Sequence, residues 1–106
     1  MTVLLVALGA AVGAPLRYLV AARLDRGLPL GTLAVNVAGS FVIGVLAARS
    51  VGGTAWALLG VGFCGGLTTY SAFAVQTVGL RWRGVAYAVV TVVASVVAAV
   101  AGYALA

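Results

Sequence analysis

The chain can place charge at only a few points, and that limits what it can fold into. Among its 106 residues the only acid is Asp25, and the six basic residues are all arginines: Arg17, Arg23, Arg26, Arg49, Arg81 and Arg83. Long apolar runs lie between them. A soluble domain carries roughly 25% charged side chains. Here the share is 7%, against 65% hydrophobic. Water cannot solvate such a surface, so the sequence reads as an all-α membrane protein.

Arginines and turn residues cut the chain into four spans, at about 2–22, 30–48, 54–78 and 85–106. Each is close to the roughly 20 residues a helix needs to cross about 30 Å of hydrocarbon. In lipid only helices and closed barrels satisfy their backbones, and continuous apolar runs lack a barrel's alternation. The joints are ARLDRGLP (22–29), RSVGG (49–53) and RWRG (81–84). This gives a single four-helix transmembrane domain over 1–106, with no soluble domain. MTVLLVALGA has no basic stretch before its apolar run, so the first segment is expected to be a retained span and not a signal peptide.

Several function classes fall away. The arginines form no dense run and have no aromatic pattern around them, so the net charge of +5 does not indicate nucleic-acid binding. Cys64 is alone, which excludes an intramolecular disulfide and a multi-cysteine metal site. The spans hold no histidine, carboxylate pair or activated nucleophile, so an enzyme is not expected. Proton-coupled transport normally uses an acid or histidine within the membrane. Asp25 lies in a hinge instead, and a small four-helix multidrug exporter is therefore disfavoured.

Small residues recur at four-residue spacing: Gly9 and Gly13, Ser40 and Gly44, Gly62 and Gly66, Ala98 and Gly102. Such pairs let helix backbones approach closely. The loop arginines are uneven. Arg23, Arg26, Arg81 and Arg83 fall on one side and Arg49 on the other. The positive-inside rule then puts both termini outside the cytoplasm.

Few polar groups remain inside the spans. Asn36 reads equally as a helix–helix hydrogen bond and as a ligand or pore contact. Tyr87, Thr91 and Ser95 follow at i, i+4 and i+8, which sets a hydroxyl stripe along the fourth helix. Arg17 ends the first span, as a snorkelling residue or as part of a vestibule. The stretch GFCGGLTTYSAF (62–73) is the least helix-like of all. Its glycines weaken the helix, while Thr68, Thr69 and Ser71 can bond backbone groups that a break would free. The third helix is therefore expected to break between Gly65 and Thr69. A broken membrane helix offers carbonyls to a cation and N–H groups to an anion.

GAPLRY (13–18), GTLAVNVAGSFVIG (31–44) and GFCGGLTTYSAF (62–73), in that order in a four-span chain, resemble the Fluc (CrcB) family of fluoride channels. The resemblance covers nearly the whole chain. It implies a passive fluoride-selective channel in a bacterial plasma membrane, releasing cytoplasmic fluoride. It also implies an antiparallel, dual-topology dimer with two pores. The pore groups implied are Asn36, the box aromatics Tyr70 and Phe73 with Ser71 between them, and the track Tyr87, Thr91 and Ser95. The family's central structural sodium ion would be held by the carbonyls of Gly65 and Thr68, and its motif arginine falls on Arg17. Three positions depart from the family pattern: Tyr70 for a phenylalanine, Ala72 for a hydroxyl residue, and Gln76 for a frequent glutamate. The arginine asymmetry adds an alternative, in which the chain is one subunit of a heterodimeric channel and its partner carries the opposite bias. A non-conducting subunit is the remaining alternative.

Overall fold

The computed structural model describes residues 1–106, the side chain of Ser71 excepted. Helix α1 runs over Thr2–Leu24 and α2 over Leu30–Ala48. The third span starts as α3, a continuous helical stretch formed by Gly53–Ala55, Trp56–Cys64 and Gly65–Leu67. After an interruption it resumes as α4, Ser71–Gly79. Helix α5 covers Arg83–Leu105. The four spans so formed are long and apolar enough to cross a membrane, and the chain is a multi-pass membrane protein.

Two intimate helix pairs build the bundle, and glycine makes both. Helix α1 packs against α3. A Cβ on Gly13 would fall 2.9 Å from the Leu67 nitrogen, and one on Gly62 would fall 2.8 Å from the Val6 carbonyl oxygen. Gly9 faces Leu58 and Phe63, and Gly66 faces Ala10. Helix α2 packs against α5 in the same way. Gly44 lies on the backbone of Ala99, and Gly102 lies on that of Phe41. The four-residue glycine pairs thus mark the α1–α3 seam, and Gly44 and Gly102, one from each small-residue pair, mark the α2–α5 seam. At their ends, Gly31 brings the first turn of α2 onto Ala21 of α1, and Gly84 brings α5 onto the Thr77 carbonyl of α4.

The break lies nearer the C-terminal end than the sequence suggested. Gly65 and Gly66 remain helical, Gly65 with φ −63° and ψ −37°. The chain leaves the helix at Thr68, φ −82° and ψ 158°, and Thr68–Tyr70 link α3 to α4. Gly66 is needed within the helix because α1 lies against it. What ends α3 is a set of competing hydrogen bonds. The middle of α3, Trp56–Cys64, is wound with wider π turns, so that the Gly65 N–H reaches back to Gly60. No local residue pattern announces this.

Candidate functional site

The interruption is held by side chains. Asn36 on α2 holds the Thr69 backbone through both its N–H and its carbonyl. Its Nδ2 donates to the Thr69 carbonyl at 3.1 Å, and its Oδ1 accepts from the Thr69 N–H at 2.8 Å. In a continued helix that N–H would go to Gly65 O. One turn on, the Ala72 N–H goes to the Thr69 hydroxyl at 3.2 Å rather than to Thr68 O. Two carbonyls, Gly65 and Thr68, thereby lose their ordinary helical donors. Thr68 folds its hydroxyl back onto Cys64 O at 2.8 Å, beside its own N–H at 2.9 Å. Gly39 of α2 leaves room for the Thr68 methyl.

An open groove of ≈ 350 Å³ runs past this joint. Asn36, Ser40 and Ile43 line it from α2, Thr68, Thr69 and Tyr70 from the joint, and Phe73 from α4. Thr91, Val92, Ser95 and Val96 complete it from α5. The hydroxyl oxygens of Thr91 and Ser95 are shielded from solvent and have no partner among the described residues. Thr91 is only 3% exposed. A buried hydroxyl without a partner costs free energy, and among the described residues the Gln76 Oε1 and Thr77 Oγ1 atoms, outside this groove, share that state. Asn36 adds a donor to the two groove hydroxyls, since an amide nitrogen carries two hydrogens and Thr69 O takes one.

Two aromatic rings of the groove lead on to a third outside it. Tyr70 and Phe73 have ring centroids 6.2 Å apart at 52°, and Phe73 and Tyr87 lie 5.8 Å apart at 34°. Tyr87 is buried and donates its hydroxyl to Pro29 O at 3.1 Å. Tyr70 projects outward, 81% exposed.

The model of a family described as CrcB-like protein, Camphor Resistance (CrcB), matches residues 4–103. The chain belongs to the CrcB family. It is 56% identical over 104 residues to a Rhodococcus jostii protein named fluoride-specific ion channel FluC 2, covering 95% of this chain and 91% of that protein. It is 50% identical over 101 residues to fluoride-specific ion channel FluC 1 of Nocardia farcinica, covering 91% and 71%. An archaeal relative, fluoride-specific ion channel FluC 2 of Haloarcula marismortui, is 45% identical over 104 residues, covering 96% and 87%.

In this CrcB chain the groove gathers Asn36, Tyr70, Phe73, Thr91 and Ser95, while Tyr87 joins it through the Phe73 ring. The Ser71 side chain lies outside the described residues. Arg17 is half-buried on α1 and is not part of the groove lining. Sequence reasoning gave Ser40 only a packing role. It lies one turn from Asn36 on the same face of α2, and that i, i+4 spacing is the signal that finds it.

Proposed function

We propose that this chain is a passive fluoride channel subunit and that the groove beside Asn36 is one wall of its ion path. The observation that carries the reading is the groove's donor set. Asn36 has a spare amide hydrogen and Thr91 and Ser95 have unpartnered hydroxyls, all beside aromatic rings with positive edges. Fluoride is small and strongly hydrated, so a path through lipid must replace its water with donors. The lone acid of the chain is away from the groove lining, so the path carries no fixed negative charge to repel an anion. The names of the relatives from Rhodococcus, Nocardia and Haloarcula agree with this reading.

The groove is open along one side, and a pore needs a second wall. A second copy, or a homologous subunit, inserted antiparallel would supply it and would create two equivalent paths. The carbonyls of Gly65 and Thr68 would then face their counterparts. Freed from helical donors, they suit a hard cation with oxygen ligands, and a sodium ion there would join the two joints. Its chemistry would be electrostatic, offsetting the carbonyl dipoles of Gly65 and Thr68.

Efflux from liposomes tests the proposal. Purified chain should release fluoride rapidly and chloride negligibly, with no energy source. Exchanging sodium for N-methyl-D-glucamine on both sides should lower efflux or dimer stability. Equal fluoride and chloride release would defeat the reading.

The arginine distribution supports a heterodimeric version. Arg23 and Arg26 lie at the same end of the bundle as Arg81 and Arg83, where Leu28, Trp82 and Arg83 line one cavity. Arg49 stands alone at the other end. Tagged termini should be accessible mainly from outside the cytoplasm if a partner is required. Equal labelling from both sides would establish a self-paired chain.

A further inference from the structure

Asp25 is the only carboxylate in the chain, and the ion path described above makes no use of it. It sits just past α1 and accepts four hydrogen bonds from two other elements. From the first turn of α2, the Gly31 N–H donates to Oδ1 at 2.7 Å and the Thr32 N–H at 3.1 Å. The Thr32 hydroxyl donates to Oδ2 at 3.1 Å. From α4, Gln76 Nε2 donates to the same Oδ2 at 3.3 Å. Pro29, which closes the hinge by pairing with Asp25, accepts from Tyr87 of α5.

The α2 bonds have a local rationale. The first N–H groups of a helix lack intrahelical partners, and a carboxylate there meets the positive end of the helix dipole. No residue of α2 caps it from within, since its N-cap position is Pro29. Asp25 does so from outside the helix. The Gln76 bond is not explained by capping. It ties the middle of α4 to Asp25, 51 residues away in sequence, and through that carboxylate to the first turn of α2. Helices α2 and α4 carry Asn36 and Phe73, both of which line the groove. The start of α4 is held by Asn36 through Thr69, and Gln76 supplies a second hold one turn beyond Phe73.

We infer that Asp25 is a positioning residue: it latches α4 to the head of α2 through Gln76 and so sets the separation of Asn36 and Phe73 in the groove. The inference rests on the groove being the fluoride path. It also explains the residue type at 76. Glutamine adds a second donor to Asp25 Oδ2 beside the Thr32 hydroxyl, whereas a glutamate would bring a second carboxylate against the first.

The experiment compares three variants with the unaltered chain in the same liposomes, each first checked for monodispersity. Gln76→Leu removes the bond without changing charge and should slow fluoride release about tenfold, the scale of one charge-assisted hydrogen bond. Gln76→Glu should slow it at least as much. Adding Asp25→Asn to Gln76→Glu recreates the bond with donor and acceptor exchanged, and should bring release back to within about threefold of the unaltered chain. Unchanged release in Gln76→Leu would overturn the latch, because a cap alone does not involve residue 76. A pair no faster than Gln76→Glu alone would overturn it too. Failure of the channel reading would be distinct, since the unaltered chain would then release no fluoride. Unfolding midpoints would still read the latch in that case: Gln76→Glu should melt lower, and the pair should recover.

Discussion

The two halves of the third span solve opposite problems. Helix α3 is fixed by shape. Gly62 and Gly66 press its backbone onto Val6, Gly9, Ala10 and Ala14 of α1, and Cys64 within it is 0% exposed. Helix α4 makes one glycine contact, Gly84 of α5 on its Thr77 carbonyl, and is otherwise held by polar bonds. Asn36 holds the peptide before it, the Thr69 hydroxyl receives the Ala72 N–H, and Gln76 reaches Asp25. A dry glycine seam gives one rigid position. A few directional bonds leave the rest of α4 free to face a groove. Splitting one span this way lets a short apolar chain anchor itself and still present polar atoms at mid-membrane, where irregular backbone survives only if protein or ion satisfies it.

The largest effects should come from putting a side chain into the seam. Leucine at Gly13 would drive its Cβ into Phe63 and Leu67 backbone atoms, which cannot give way. Gly13→Leu should cost more than about 3 kcal/mol, above the usual range for overpacking a core, and leave little folded protein by size-exclusion chromatography. Gly65 is the contrast, because a Cβ there meets nothing within 4 Å in one chain. Gly65→Leu should keep the helical circular-dichroism signal yet lower the dimer fraction on cross-linking, since the proposed partner meets the chain at this joint. Full dimer formation in that variant would move the interface elsewhere.

Asn36→Ala attacks the polar half. It strands both the N–H and the carbonyl of Thr69, at about 1–3 kcal/mol for each unsatisfied group. The α1–α3 seam does not contact Asn36, so the chain should stay folded while fluoride release falls about a hundredfold. Retained release would mean that the joint holds without its clamp.

The two halves were also unequally legible in the sequence. Length, apolar runs and arginine punctuation gave the four spans, and glycine spacing gave the seams, because those signals are local and periodic. The break falls in the C-terminal part of the expected Gly65–Thr69 and runs on to Tyr70, because glycine propensity is a weak local term. Gly66 is committed to the α1 contact, and the helix ends where Asn36, 33 residues away in sequence, takes the Thr69 peptide. Asp25 read as a hinge residue because its partner Gln76 lies 51 residues on, and no window reaches that far. Gln76 itself stood out only as a departure from the family's frequent glutamate. The structure sets it against the chain's one carboxylate, which gives the departure a chemical sense. Asn36 was open between a packing bond and a pore contact, and its geometry serves the first while leaving a hydrogen for the second.

The α5 hydroxyls sharpen the comparison from the far wall. Thr91→Val and Ser95→Ala each remove an unpartnered buried hydroxyl with little change of volume. A structural polar group in this state is a burden, so each variant should match or exceed the unaltered chain in thermal stability. If the hydroxyls serve a passing anion, each should slow fluoride release about tenfold, the factor that about 1.4 kcal/mol represents. Stability and flux should therefore move in opposite directions. Parallel loss of both would assign the hydroxyls to packing.

The smallest effects belong to the turns that bound the two halves. Before α3, Ser50 has φ 52° and ends α2 in a paired cap, with Ser50 N–H on Ala47 O and Val51 N–H on Leu46 O. After α4, Arg81 has φ 58°, and its N–H bonds Val78 O. Both sit in the left-handed region, where a Cβ costs roughly 1 kcal/mol that glycine avoids. Ser50→Gly and Arg81→Gly should each raise the unfolding midpoint by a few degrees. Only the second removes a charge, and it removes one from the arginine-rich end. Accessibility of tagged termini should stay the same in Ser50→Gly and become more nearly two-sided in Arg81→Gly, as the positive-inside rule requires. If orientation is unaltered by Arg81→Gly, the remaining arginines Arg23, Arg26 and Arg83 suffice to set it, and the turn after α4 serves geometry alone.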